Sequence, residues 1–187
     1  MHPIKYCWAL RALFYKFFFH KIGFKSYIGA PLFIAGARRI SIGSRTRIFP
    51  GMRIEAIGNG SISIGNNTVI EQNVHIISMD QELRIGDDVT IAPNVFITNV
   101  NHAYEDIHKS VMDQGYIIRK TSIGNGCFIG YGAAIQGGTL LGNHCIVGSN
   151  SVVKGVFPDN CIIVGSPAKI IKVFSEEKNC WEKYESR

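Results

Sequence analysis

The stretch IGNGCFIGYGAAIQGGTLLGNHCIVGSNSVV, residues 123–153, decides the fold. Stepping by six from Ile123 reaches Ile129, Ile135, Leu141, Val147 and Val153, and every one of them is aliphatic. Gly follows directly at 124, 130, 142 and 148. Four residues after each aliphatic stands a small side chain: Cys127, Ala133, Thr139, Cys145 and Ser151. A period of six matches neither the 3.6 of an α-helix nor the 2 of a half-buried strand. It fits a prism with three flat walls and one hexapeptide per wall. The aliphatic residue points inward with the small residue beside it, and Gly or Asn takes the corner, where a positive φ or close packing is needed. Each coil then pairs only with its neighbours, and the stacked Ile and Val make one continuous core.

Working outward, the same phase recurs at Ile42, Ile48 and Ile54, at Ile64, Ile70 and Ile76, and at Ile85, Ile91 and Ile97. The register slips from 54 to 64, from 76 to 85 and from 97 to 123, where loops should leave the coil. The last break, residues 98–122, is the longest. It is polar and carries His102, His108 and three carboxylates. A loop of more than about 12 residues in a compact domain is usually functional.

The ends do not repeat. Residues 1–25 read as a helix with apolar and aromatic residues on most faces, interspersed with Lys5, Arg11, Lys16, His20, Lys21 and Lys25. Such a segment either lies in a membrane interface, aromatics at headgroup level and cations on anionic lipid, or packs on the prism or a neighbouring subunit. Residues 154–173 read as a turn, a final strand, a Gly–Pro break and a basic strand or short helix. The tail from 174 to 187 reads as helical and exposed. The expected organisation is therefore a helix at 1–25, a prism at 26–173 with its active-site loop at 98–122, and a tail at 174–187.

Hydrophobic residues make up 46% of the 187 and charged residues 18%, which excludes global disorder. The formal charge is +6. That balance points to a polyanionic partner, either an anionic membrane face or a phosphate-rich ligand, or simply aids solubility; no nucleic-acid motif accompanies it. Five Cys, odd in number, scattered and without CxxC, argue against a disulfide framework or a zinc site and favour the reducing cytoplasm. Cys127 and Cys145 fall at inward hexad positions and read as packing residues. No uncharged apolar run reaches 18 residues, and residues 1–25 lack a clean signal-peptide core and cleavage site.

The hexads at 123–153, the block IGDDVTIAPNVFI at 85–97, the NH at 101–102 and the terminal VGSPAKIIK at 164–172 resemble the hexapeptide-repeat acetyltransferases. The likeness is greatest to their galactoside and maltose acetyltransferases and to the O-acetyltransferases of lipopolysaccharide and capsule. It covers roughly residues 40 to 175. The resemblance implies an all-β fold, a left-handed parallel β-helix, assembled as a homotrimer with acetyl-CoA in the groove between prisms. It implies His102 as the catalytic base, with His75 on the acceptor side. It implies acetyl-CoA contacts at Phe128, where many members have Trp, and from Gly130, Tyr131, Ser149, Lys154, Lys169 and Lys172. Tyr131 departs from the Ser of the galactoside enzymes, so a backbone N–H of Gly130 or Tyr131 becomes the expected oxyanion donor.

Acetylating a hydroxyl needs a base, and His, with an ordinary pKa of about 6.5, suits neutral pH. His102, directly after Asn101, is the candidate; Glu105, Asp106 or a backbone carbonyl would orient its ring, and Asn101, Glu105 and Asp106 would face the acceptor. With no activated nucleophile in view, direct transfer in a ternary complex is expected, with no metal. The acceptor implied is a sugar hydroxyl of a bacterial surface polysaccharide or its precursor, and the location is cytoplasmic, with peripheral contact at the inner membrane face through residues 1–25. Alternatives are N-acetylation of an aminosugar nucleotide, a metal enzyme of the γ-carbonic anhydrase type using His75, His102 and His108, and a non-enzymatic scaffold.

Overall fold

The computed structural model describes residues 4–184; the outermost residues of the expected helix (1–3) and tail (185–187) lie outside the described residues. The chain winds as a left-handed parallel β-helix. Its first coil runs through Lys21–Ile22, Tyr27–Ile28 and Phe33–Ala35, one strand on each wall. The first wall has seven strands and the third has six; the second has nine, including two that pair antiparallel at its end.

Register explains the core. Along the first wall Ile42 pairs with Ile64, Ile64 with Ile85, Ile85 with Ile123 and Ile123 with Leu141. The second and third walls stack Ile70, Ile91 and Ile129, and Ile76, Ile97 and Ile135, in the same way. These side chains are essentially inaccessible to solvent. Burying each contributes roughly 1.5–3 kcal/mol, so a six-residue repeat that delivers one such residue per wall sustains the coil.

The corners divide glycine's work in two. The left-handed position falls three residues after each aliphatic, at Gly126, Gly132, Gly138, His144 and Asn150. The Gly directly after the aliphatic has another reason: a Cβ at Gly124 would run into the backbone of Gly142 on the next coil. At the corner between first and second walls a ladder runs up the prism. The N–H of Ser44 donates to Asn66 Oδ1, that of Asn66 to Asp87 Oδ1, that of Asp87 to Asn125 Oδ1, that of Asn125 to Asn143 Oδ1 and that of Asn143 to Asp159 Oδ1, all at 2.6–2.9 Å.

A second column lies inside that corner. Ser26 and Thr46 donate their hydroxyls to the carbonyls of Gly43 and Gly65, both at 2.7 Å. The Cys127 and Cys145 thiols do the same to Gly142 at 3.2 Å and Pro158 at 3.1 Å. The sulfur–sulfur contact with Cys145, together with burial, pushes the Cys127 and Cys161 thiols above the ordinary thiol range. They are protonated donors in the core, where the inward hexad position puts them.

Two expectations are corrected. The helix is Ile4–Tyr15 and stops well short of residue 25, because Ile22, Ile28 and Ile34 already carry the six-residue phase and Lys21–Ile22 pairs with Ser41–Ile42. The prism therefore starts at 21 and not at 26. The tail is not helical: Ala168–Ser175 folds back antiparallel on Cys161–Gly165, after a cis Ser166–Pro167 bond, and Cys180–Lys183 pairs with Ala168–Ser175 in turn. The last coil leaves an unpaired strand edge, and this hairpin supplies its hydrogen-bond partners. At the other end the helix covers the first coil. Ala12 and Phe19 join the core, Trp8 lies 5.9 Å from the Tyr27 ring and 5.5 Å from that of Phe49, and the Arg11 guanidinium donates to the Ile28 carbonyl at 3.1 Å.

Candidate active site

The long break leaves the prism after Phe96–Thr98 and returns at Thr121–Ile123. Its root is tied down from both sides. Asn99, fully buried, accepts the Met79 N–H at 2.8 Å and donates its amide to the Met79 carbonyl at 3.1 Å, while its own carbonyl takes the Arg119 N–H at 2.8 Å. Above that root Val100–His102 pairs antiparallel with Tyr116–Ile118, so His102 stands at the end of a two-stranded hairpin, opposite Tyr116. The two rings lie 4.9 Å apart, tilted by 50°.

His102 opens on a cavity of about 370 Å³. Asn101, Tyr104, Glu105, Ile117 and Arg119 line it from the loop, and Gln136 and Lys154 from the corners of the next two coils. Of the residues expected at the site, the fold thus brings together Asn101, His102, Glu105 and Lys154. Sequence reasoning missed Arg119 and Gln136. Gln136 had a signal, since it replaces the Gly that follows the aliphatic in four neighbouring hexads, and Lys154 breaks the same pattern. The Gly137–Gly138 pair makes room at the mouth: a Cβ on Gly137 would stand 3.1 Å from Asn101 Nδ2, and one on Gly138 3.2 Å from Arg119 Cδ.

Neither carboxylate orients the imidazole: among the described residues no side chain hydrogen-bonds His102, which rests on Tyr116. Glu105 accepts the Tyr104 N–H at 3.0 Å. Asp106 does not line the cavity; it takes the His108 N–H at 3.0 Å, sits 3.2 Å from Lys109 and so holds the loop's turn.

The other expected residues lie elsewhere on the chain. Phe128 projects outward from the second wall, where Phe128, Ile146, Ile162 and Lys172 are successive partners across four strands. Lys169 lies exposed on the same terminal strand, and Ser149 is exposed in the turn after Ile146–Val147. Tyr131 is exposed, and its hydroxyl accepts from Asn94 Nδ2 at 2.6 Å. The Gly130 N–H donates to the Val147 carbonyl at 2.8 Å, which leaves the Tyr131 N–H as the one of the pair not engaged by the wall. His75 faces outward from the third wall. Its Nε2 lies 3.0 Å from Glu55 Oε1, which also accepts Arg53 Nε at 2.6 Å. The Arg53 hydrogen bond first, and that of His75 with it, hold the Glu55 carboxyl below the usual carboxylate range despite burial. His75, His102 and His108 therefore have separate surroundings, and among the described residues no three His, Cys, Asp or Glu side chains gather as metal ligands.

The stacked hexads match those of a transferase family. Residues 120–155 match the model of the bacterial transferase hexapeptide (six repeats). The chain is 35% identical over 161 residues, 82% of its length and 81% of the relative's, to the "Putative lipopolysaccharide biosynthesis O-acetyl transferase WbbJ" of Escherichia coli K12. It is 30% identical over 117 residues to the galactoside O-acetyltransferase of the same organism, covering 62% of this chain and 56% of that one. Among solved structures, the N-acyltransferase AntD of Bacillus cereus, in complex with dTDP and 3-hydroxybutyryl-CoA, shares the fold with a TM-score of 0.76 at 20% identity over 90% of both chains. The chain belongs to the hexapeptide-repeat transferases and, within them, is an acetyltransferase.

Proposed function

We propose that the protein transfers acetyl from acetyl-CoA to a sugar hydroxyl of a bacterial surface polysaccharide or its lipid-linked precursor, in a ternary complex with His102 as general base. The observation that carries this is His102 held on a pinned hairpin at a 370 Å³ cavity that also presents Lys154 and Arg119. The acceptor oxygen attacks the thioester carbonyl carbon as His102 takes the hydroxyl proton. The oxyanion rests on a backbone N–H, and that of Tyr131 has no backbone partner among the described residues. Collapse breaks the carbon–sulfur bond, and the imidazolium returns its proton to the departing thiolate. The donor name carried by AntD, and the acetyl transfer named for the relatives, support CoA as the carrier.

The active unit in this reading is a homotrimer. The loop exposes Ile107 at 86% and Met112 at 74%, apolar surface that a neighbouring copy would cover. The loop group and the second-wall group of Phe128, Tyr131, Ser149, Lys169 and Lys172 then meet across the subunit boundary, with His75 toward the acceptor. The enzyme works in the cytoplasm at the inner membrane face. Free-thiol release from acetyl-CoA, measured with a panel of sugars, aminosugar nucleotides and lipid-linked saccharides, tests the proposal. Release that depends on a hydroxyl acceptor and falls about 10²–10⁴-fold in His102→Ala supports it; release with amine acceptors alone, or undiminished in His102→Ala, overturns it.

A further inference from the structure

The cap of a solenoid normally turns a polar face outward, since the last coil has no neighbour to bury it. The N-terminal cap here does the reverse. Helix Ile4–Tyr15 spends Trp8 and Ala12 on the prism and leaves the opposite face apolar. Leu10 is 67% exposed, Leu13 57% and Phe17, just beyond the helix, 82%. Tyr6, Leu10, Leu13 and Phe24 line an apolar groove of about 420 Å³, and Lys16 and Lys25 stand at the same groove.

Charge selects what covers it. Ten of the twenty Lys and Arg fall before Glu55, and none of the fourteen Asp and Glu does, so the first 54 residues carry ten positive charges while the remainder is net negative at −4. The groove itself is lined by apolar side chains and Lys16 and Lys25 with no carboxylate, Asp87 and Asp88 lining the adjoining pocket on the far side of Phe24 and Lys25. Such a face matches an anionic bilayer, in which rings and Leu enter the headgroup layer while Lys engages phosphate. No described helix is long and apolar enough to cross a membrane, so the contact is peripheral.

We propose that this cap docks the enzyme on anionic phospholipid through Leu10, Leu13, Phe17 and Phe24, with Lys16 and Lys25 at the headgroups. Resting on the function proposed above, the docking also names the form of the acceptor. With strands about 4.8 Å apart, the cavity beside the fifth and sixth coils stands roughly 20 Å above the capped end. An acceptor anchored in the same bilayer must be a lipid-linked saccharide long enough to span that height, rather than a single sugar at the headgroup.

Flotation of the full chain with phosphatidylglycerol–phosphatidylethanolamine vesicles, and with pure phosphatidylcholine as control, tests the docking. Wild type is expected to float with the anionic vesicles and to be released by salt. The pairs Leu10→Ser/Phe17→Ser and Lys16→Glu/Lys25→Glu should each weaken binding about tenfold or more, with acetyl transfer to a soluble sugar unchanged. Failure of the wild type to float, equal binding to phosphatidylcholine, or flotation indifferent to both pairs overturns the proposal. So does a change of molar mass by light scattering in Leu10→Ser/Phe17→Ser, which would make the face a contact between copies. Flotation needs no turnover, so loss of the catalytic reading leaves this result readable by itself.

Discussion

Replacing Asn99 with Ala tests whether the prism positions the catalytic loop. The side chain is fully buried, and its amide closes two hydrogen bonds to the Met79 backbone, at 2.8 and 3.1 Å. Truncation orphans the Met79 N–H and one carbonyl lone pair in a site that water reaches poorly. An unsatisfied buried donor costs about 1–3 kcal/mol and a lost neutral hydrogen bond about 1, so the expected loss is about 2–4 kcal/mol. For a chain of this size that lowers Tm by roughly 5–10 °C. Asn99→Asp keeps the acceptor for the Met79 N–H but turns a carboxylate toward the Met79 carbonyl, and should be at least as destabilising. Because His102, the proposed base, stands three residues from this anchor, transfer should fall about ten- to a hundredfold, while acetyl-CoA affinity, which the proposal places mainly on the second wall, changes little. Circular-dichroism melts and steady-state acetyl transfer, with CoA affinity by calorimetry, check the three effects. A variant with wild-type Tm and wild-type turnover would refute the reasoning that the root of the hairpin controls the position of the base.

Adjacent residues of the second wall should behave oppositely: Ile129→Ala empties a core position at a cost of about 2–5 kcal/mol, whereas Phe128→Ala, on the outer surface, should leave the thermal midpoint nearly unchanged and weaken CoA binding. Lys154→Met should reduce acetyl-CoA affinity without shifting the melt, which titration calorimetry beside a melt would show. Glu55 gives a signed pH dependence. Its carboxyl is held below its ordinary range by Arg53 and His75, so its contribution is present above the unfolded pKa and is lost as pH falls through the lower folded value. Glu55→Gln should therefore flatten the acid limb of stability below about pH 4.5; an unaltered acid limb, followed by urea midpoints, counts against it. Cys145→Ala should leave transfer intact, since the thiol caps a core carbonyl and has no access to substrate.

The walls were legible because one physical requirement, an aliphatic facing inward every six residues, writes itself directly into the order of Ile and Val. Cys127 and Cys145 were readable as packing groups for the same reason. The first coil escaped because Ile22, Ile28 and Ile34 sit beside a run of Phe and Lys whose composition reads as helix. The tail escaped because a closing hairpin is demanded by the open edge of the preceding strand, a tertiary fact. His102 was singled out by resemblance and by lying in the longest break, and its role as base rests on the proposal above. Arg119 joins it only because the hairpin returns, and Gln136 only because the next coil stacks beneath; neither proximity follows from local sequence. Glu55 and His75, twenty residues apart, meet because one coil on this wall takes just over twenty residues. The loss of Gly after Ile135 and Val153 was the clue left unread.

The hairpin that bears His102 enters and leaves the prism at one corner, its ends joined by the 2.8 Å bond from Arg119 to Asn99. A segment mounted this way is a cassette. Its length and composition can change without disturbing the register of any coil, because the coils on either side pair directly with each other, Ile85 on Ile123 and Ile91 on Ile129. If residues 100–118 face the acceptor as proposed above, selection for a new acceptor can act on them while the column of Ile and the coils stay as they are, and grafting that segment between coils of similar pitch would test whether specificity travels with it.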